Sequence, residues 1–415
     1  MKLTALSLIY LVWGAIASMN DLLIPYLKSE FSLSFTQAMR VQLVFYAAYF
    51  FLSIPSGQYT RRYGCRTGIL TGLGGAVAGC LLIIAGSYSG SFMFILTALF
   101  VLASGITMLQ VSANPYATSL GPQKTAPSRL TLVQSFHSLG TTIGPFFGAI
   151  LIFGATYVAT DHLAHSEGAA RGIMRPYMLL ALVLVVAAVL FSRIQPKLEN
   201  VSRSQHHAHI LVLLRSNPRL LLSTLGIFFY VGAEISIGSF LVNYLTQESI
   251  AGLGYETAGK FVSIYWGLAL LGRFVGAIVL RYVLPSRLLG IYALIAATLV
   301  STSIAADGML STVSILSVGF FNSIMFPAIF SLAIRDHGVD TQSASGLLCL
   351  GIVGGAVITQ AQGILAGVVG IRLAFVLPVV CFLYIAMLAF LLLHVKPVAA
   401  GRECPPARKA GLSLG

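Results

Sequence analysis

Apolar residues in this chain fall into continuous blocks of about 20 to 27 residues, separated by short polar breaks. At about 1.5 Å of rise per residue, a helix of that length crosses roughly 30 Å of hydrocarbon. Lipid offers no partner to an open strand edge, so such blocks predict membrane-spanning helices. The pattern places twelve, at 3–27, 36–60, 67–87, 91–117, 127–154, 175–194, 220–246, 257–281, 285–306, 309–334, 343–367 and 373–394. The longest break divides them six and six. The expected fold is all-α: an N-terminal six-helix bundle over 1–194, a linker at 195–219, a C-terminal bundle over 220–394 and a tail from 395 to 415.

Composition agrees. Hydrophobic residues make up 57% of the chain and charged residues 9%, where soluble domains carry roughly 25% charged. A soluble protein of 415 residues could not cover its surface with so few charges. The net charge of +13 raises the question of nucleic acid, and its placement answers it. With the N-terminus inside, eighteen of the 25 basic residues fall in cytoplasmic segments, among them Arg61, Arg62, Arg66, Arg193, Arg215 and Arg281. Both termini are therefore expected in the cytoplasm, and no nucleic-acid partner is implied. The five cysteines are isolated, so neither a metal site nor a disulfide framework is expected. The linker run Gln205-His206-His207-Ala208-His209 reads as a solvated segment rather than a metal cluster. The first block is too long for a signal peptide and contains Asn20 and Asp21.

The two halves look like repeats. Val12–Leu27 lies without a gap on Tyr230–Leu245 at a constant offset of 218, with six of sixteen positions identical, including Gly14/Gly232 and Ser18/Ser236. Polar side chains also divide the spans. Spans three, six, nine and twelve hold almost none, and the other eight hold Asn20, Asp21, Gln42, Gln110, Asn114, Gln134, His137, Glu234, Asn243, Arg273, Asn322, Gln360 and Gln362. That split predicts eight central helices around a water-accessible path and four peripheral ones.

Helical spacing selects faces on the central spans. Gly14, Ser18, Asp21 and Pro25 form one stripe of span one, Gln110 and Asn114 one of span four, and Gln134, Ser138 and Thr141 one of span five. Amides and hydroxyls both donate and accept, which suits an uncharged, polyhydroxylated ligand. Trp266 offers an aromatic face for a pyranose ring. Asp21 lies in the outer half of span one, as a candidate for binding or coupling. Glu234 lies about 200° around its helix from the Gly232, Ser236, Ser239 stripe, so it faces either the cavity or a neighbouring helix, with Arg273 the candidate partner. Arg273 is about eight residues from the cytoplasmic end of span eight, close enough to snorkel inward.

Several motifs resemble a known family. Gly57-Gln-Tyr-Thr-Arg61-Arg62-Tyr-Gly64-Cys-Arg66 is similar to the loop signature of the major facilitator superfamily. Met19-Asn-Asp-Leu-Leu-Ile-Pro25, Leu109-Gln-Val-Ser-Ala-Asn-Pro115, Gln134-Ser-Phe-His-Ser-Leu-Gly-Thr-Thr142 and Tyr230-Val-Gly-Ala-Glu-Ile-Ser-Ile-Gly-Ser-Phe240 resemble the fucose–glucose–galactose permeases. Phe321-Asn-Ser-Ile-Met-Phe-Pro327 and Gly346-Leu-Leu-Cys-Leu-Gly-Ile-Val-Gly-Gly355 extend the likeness into the second half. The resemblance implies sugar uptake coupled to a cation gradient, with Asp21 matching the family's span-one aspartate. Gln110 stands where the fucose branch carries glutamate, as in the glucose/galactose branch, which also has a glutamate at the Glu234 position. His137 stands where the family usually has asparagine.

The expectation is a bacterial inner-membrane symporter, working as a monomer by alternating access and carrying a glucose- or galactose-like hexose, fucose or N-acetylglucosamine. Asn20, Gln110, Asn114, Gln134, His137, Trp266 and Asn322 are the expected sugar ligands. Asp21 and Glu234 would couple H⁺ or Na⁺, and Arg61, Arg62 and Arg66 would hold helix ends together in one conformation. No cofactor is expected, and no nucleophile–base pair suggests an enzyme. The alternatives are an exporter of drugs or metabolites, whose site would be richer in aromatics and poorer in amides, and a sugar sensor, which would need a signalling segment longer than the about 18 residues after Pro397.

Overall fold

The structure, a computed structural model, describes residues 2–33, 37, 40–158, 168–193, 217–334 and 341–393; side chains at 2, 19–22, 24–26, 28–30, 145–158, 168–173 and 255–256 are outside that description. The histidines at 206, 207 and 209 and the tail after 393 lie outside the described residues. The first half runs α1 (Lys2–Glu30), α2 (Arg40–Tyr63), α3 (Cys65–Ser89), α4 (Phe92–Ser119), α5 (Ala126–Val158) and α6 (Gly168–Ser192). The second runs α7 (Pro218–Leu245), α8 (Tyr255–Val279), α9 (Pro285–Ala305), α10 (Gly308–Asn322), α11 (Met325–Ala333), α12 (Thr341–Leu350), α13 (Gly354–Val369), α14 (Ile371–Ala374) and α15 (Val376–Leu393). The tenth, eleventh and twelfth apolar blocks are each broken once, so α10–α11, α12–α13 and α14–α15 each make one span. Nine helical stretches among the described residues are long and apolar enough to cross a membrane. The third, sixth, ninth and twelfth spans turn apolar side chains outward: Leu81, Leu182, Leu294 and Phe390 are each more than half exposed, as lipid-facing positions should be.

Within each half, small residues set how closely helices approach. A side chain on Gly14 would strike the His137 carbonyl of α5, and one on Gly140 the Leu11 carbonyl of α1. Gly144 lies against Ser18 in the same way. The stripe expected to line a path through span one is therefore, at Gly14 and Ser18, a packing seam against α5; small residues let the two backbones touch. The second half repeats the device: Gly232 of α7 lies under Ile358, and Gly354 under the Phe228 carbonyl. Equivalent leucines match too, since Leu23, Leu27, Leu241 and Leu245 are all fully buried. The internal repeat read from the sequence thus has a physical content, a glycine crossing of the first and fifth helices of each half.

Prolines inside helices release carbonyls, because proline has no N–H for the residue four before it. Pro115 in α4 frees the Val111 carbonyl, which accepts the Ser345 hydroxyl of α12 at 2.7 Å, from the opposite half. Pro327 in α11 frees the Ser323 carbonyl at the break between α10 and α11, and Arg273 of α8 donates to it at 3.3 Å. The α8 end supplies a third acceptor: the Ala277 carbonyl takes the Ser128 hydroxyl of α5 at 2.5 Å.

Contacts between the halves run from one end of the bundle to its middle. At the end that carries the basic α2–α3 turn, Gly57 of α2 meets the backbone of Gly346, and Gln342 reaches Cys65. Towards the middle, Asn114 touches Cys349 at 3.9 Å and Tyr46 packs on Gly355. That turn is a single residue, Gly64, whose φ of 87° suits glycine and strains other residues.

Gly14→Val should therefore lower the thermal midpoint of the purified protein by several degrees, since overpacking a tight crossing costs about 1–3 kcal/mol. Gly74→Val is the control, because no heavy atom lies within 4 Å of the Cβ it would add. An equal effect of the two in a thermal-shift measurement would refute the seam.

Candidate substrate and cation site

Three buried amides in the middle of the bundle are each oriented by a tyrosine. Tyr10 donates to Oδ1 of Asn114 at 2.5 Å, and Tyr49 donates to Oε1 of Gln110 at 2.8 Å. Both amides of α4 therefore have their oxygens occupied; Gln110 keeps its N–H groups for another partner, and Asn114 keeps one, its amide nitrogen also donating to the Cys349 sulfur at 3.9 Å. In the second half the polarity reverses. Nδ2 of Asn322 donates to the Tyr265 hydroxyl at 2.8 Å, and its Oδ1, fully buried, has no partner among the described residues. Donors on one side and an acceptor on the other complement hydroxyl groups, which both give and take hydrogen bonds. In this conformation Asn114 and Asn322 are wholly covered and Gln110 and Gln134 nearly so.

Aromatic rings extend the first half of the site. Tyr10 packs on Trp13 at a centroid distance of 5.1 Å, and Trp13 lies 4.4 Å from the ring of His137. His137 is thereby joined to Asn114 through Trp13 and Tyr10. Trp266 sits half-buried over Gly238 of α7, with Tyr265 edge-on at 5.2 Å. The tyrosines and Trp13 were not among the expected ligands, of which Trp266 is the single aromatic, because an aromatic within an apolar block is indistinguishable from ordinary packing. Their spacing held a signal: Tyr10 and Gly14 share a face of α1, one turn apart.

A buried ion pair occupies the second half. Arg273 does not snorkel to the end of its helix; it is 9% exposed, and its guanidinium forks between three other helices. Nη2 meets Oε1 of Glu234 at 3.0 Å and the Tyr230 hydroxyl at 3.4 Å, both on α7. Nε holds the freed Ser323 carbonyl, and Nη1 donates to the Ser138 hydroxyl of α5 in the first half. A buried arginine must place its donors on protein, since an unpaired charge there costs several kcal/mol. Of the two orientations open to Glu234, the structure has the one towards a neighbouring helix.

The remaining expected residues lie elsewhere or outside view. Asn20 and Asp21 fall on α1, where their side chains are outside the described residues. Arg66 donates to the Ser192 carbonyl at 2.5 Å and so caps α6, and Arg62 lies exposed over the Tyr63 ring. Arg61 is half-buried beside them. These arginines sit at the basic end, away from the amides.

Comparison with known proteins places this architecture. Residues 6–348 match the Major Facilitator Superfamily. The chain is 44% identical over 396 residues to a glucose/galactose transporter of Brucella abortus, covering 92% of each protein. It is 30% identical over 397 residues to the L-fucose-proton symporter of Escherichia coli, covering 92% of this chain and 90% of that protein. It superposes with a TM-score of 0.85 on the crystal structure of the transporter FucP in the outward conformation, at 28% identity over 94% of this chain and 98% of that one. The chain, a membrane transporter and not an enzyme, belongs to the major facilitator superfamily and, within it, to the fucose–glucose–galactose permease family.

Proposed function

We propose that this protein imports a neutral hexose of the glucose or galactose type across a bacterial cytoplasmic membrane, by symport with a cation. The observation that carries the reading is the set of tyrosine-held amides. Gln110 keeps its N–H donors on one half, Asn114 keeps one beside the N–H it gives to Cys349, and Asn322 keeps an acceptor free on the other. Neutral groups of this kind recognise hydroxyls and offer little to an organic cation or anion. Gln134 and His137 stand beside them on α5, Trp13 and Trp266 supply apolar faces for a sugar ring, and Asn20 completes the set from α1. Asp21 is the first candidate for the cation and Glu234 the second. The relatives' names support the same substrate class, since one is a glucose/galactose transporter and another an L-fucose-proton symporter.

The basic end of the bundle is assigned to the cytoplasm, with both termini there, because positive charge is retained on that side. The halves then touch on the cytoplasmic side. A single chain contains both halves of the site, and the protein acts as a monomer. Alternating access follows if the halves rock about the central residues, opening the seam made by Gly57, Gly346, Ser345 and Ser128.

Uptake of a labelled sugar panel into proteoliposomes, with proton and sodium gradients imposed separately, tests the reading. One gradient should drive accumulation of a neutral hexose; uptake of none of the panel under either gradient would overturn it. Gln110→Glu should cost the preferred sugar about tenfold in apparent affinity, the scale of one hydrogen-bond partner in a buried site. It should also make transport newly pH-sensitive, and unchanged competition profiles would assign Gln110 to packing.

Asp21→Asn separates coupling from binding. An asparagine keeps the size and hydrogen bonds of aspartate but takes up no proton and pairs with no cation. The variant should bind sugar and exchange it across a membrane without a gradient, and should not accumulate it above equilibrium. Wild-type accumulation would remove Asp21 from the coupling role.

A further inference from the structure

Arg273 is the one described side chain that joins a charged pair inside one half to a hydroxyl of the other. Its Nη2 is held by Glu234 at 3.0 Å, and its Nη1 donates to Ser138 of α5. Ser138 sits one residue after His137 and one turn after Gln134, whose carbonyl its own hydroxyl contacts at 3.2 Å. The same guanidinium holds the Ser323 carbonyl where the tenth span is broken. Phe136 and Phe274 meet edge-on beside it, again across the halves, at 6.1 Å.

We infer that Arg273 is a latch between the halves and that Glu234 sets its strength: the ionised carboxylate fixes the guanidinium on Ser138 and keeps the basic end closed, and a proton on Glu234 releases it. This rests on the symport reading above and assigns the part played by its second carboxylate. The chemistry follows from the pair. One proton from water binds a carboxylate oxygen of Glu234, the carboxylate becomes a neutral acid, and the guanidinium is left buried without its counter-charge. An uncompensated buried charge disfavours the arrangement that buries it. Separation of the halves, which brings water to Arg273, becomes the easier course. A sodium ion is a poor substitute, because it would have to sit on an oxygen already 3.0 Å from a guanidinium nitrogen of like charge.

The direction suits a symporter. With Glu234 ionised, the empty carrier is drawn back to the state closed at the basic end; with Glu234 neutral, the loaded carrier is free to open there. The other ionisable groups near Glu234 are few. Tyr230 lies a turn away on α7, α8 brings Tyr265 besides Arg273, and His137 of α5 lies beyond the guanidinium. Helices α10, α11 and α13 contain no ionisable side chain. On α12 Cys349 faces Asn114, on α14 Arg372 is paired with Asp307, and on α15 there are Cys381 and Tyr384, the latter bound to the Leu222 carbonyl.

Of the four buried cysteines among the described residues, two report the state of the seam and two serve as controls. Cys349 and Cys65 are covered by contacts across the halves, to Asn114 and Gln342. Cys80 on α3 and Cys381 on α15 are buried within single halves. The full-length protein in proteoliposomes, without sugar and at one fixed pH, is treated with N-ethylmaleimide, and labelling of each cysteine is followed by peptide mass spectrometry. Ser138→Ala removes only the cross-half bond, and Glu234→Gln imitates the protonated acid. Each should raise labelling of Cys349 and Cys65 about tenfold, equivalent to about 1.4 kcal/mol in the opening equilibrium. Cys80 and Cys381 should keep the wild-type rate. The double variant should open no further than either single one, because both remove the same latch. Wild-type labelling in both single variants would overturn the inference, as would multiplied effects in the double variant. A rise at all four cysteines in Glu234→Gln would also overturn it, by showing that the pair merely holds the second half together. No sugar enters the assay, so the expected thiol pattern alongside failure of every sugar to be transported would sink the substrate reading and leave the latch standing.

Discussion

A guanidinium buried in a membrane bundle has to place its donors on protein, because neither lipid nor a distant water layer will take them. Arg273 meets that demand by drawing four helices together: its own α8, α7 through Glu234 and Tyr230, the broken tenth span through Ser323, and α5 through Ser138. Three of those ties stay within the second half and one crosses to the first. The packing of one half and its attachment to the other are thus linked through a single charged group.

Two further cross-half ties have a similar origin. Helices in lipid leave few backbone groups unmatched, so a free carbonyl is available only where a proline or a helix end releases it. Pro115 releases Val111 to Ser345, and the end of α8 releases Ala277 to Ser128. These are single hydroxyl-to-carbonyl bonds between surfaces of small residues, each worth about 1 kcal/mol. A seam built of such bonds holds one conformation without locking it. Inside each half the glycine crossings are tighter.

The halves share a plan and differ in chemistry. Both cross their first and fifth helices at a glycine, and both hold amides on tyrosine hydroxyls. The first half adds the Tyr10–Trp13–His137 row of rings, and the second adds the ion pair. A ligand between them would meet neutral donors and aromatic faces on one side, and an acceptor beside a charged pair on the other. Duplication explains the common frame, and divergence of a few buried positions explains why the two sides differ in chemistry.

Block length and polarity alone determined the membrane class, the twelve spans and the division into four peripheral and eight central helices. These follow from the cost of placing polar groups in lipid, which acts on each span separately and so is written along the chain. The repeat was legible for the same reason, as a local match between spans one and seven. What faces what was legible only for Glu234, whose pairing with Arg273 was among the expectations. The stripe of Gly14 and Ser18 looked like a cavity wall and is a seam, because a small side chain serves both purposes and only the neighbour tells them apart. Arg273 looked close enough to the surface to snorkel and is tied at the centre, because Glu234 lies one helix away and Pro327 leaves Ser323 without its own donor. The tyrosines that orient Gln110, Asn114 and Asn322 stand 61, 104 and 57 residues from them. No periodicity along a helix carries that information; only the packing of the helices brings the pairs together.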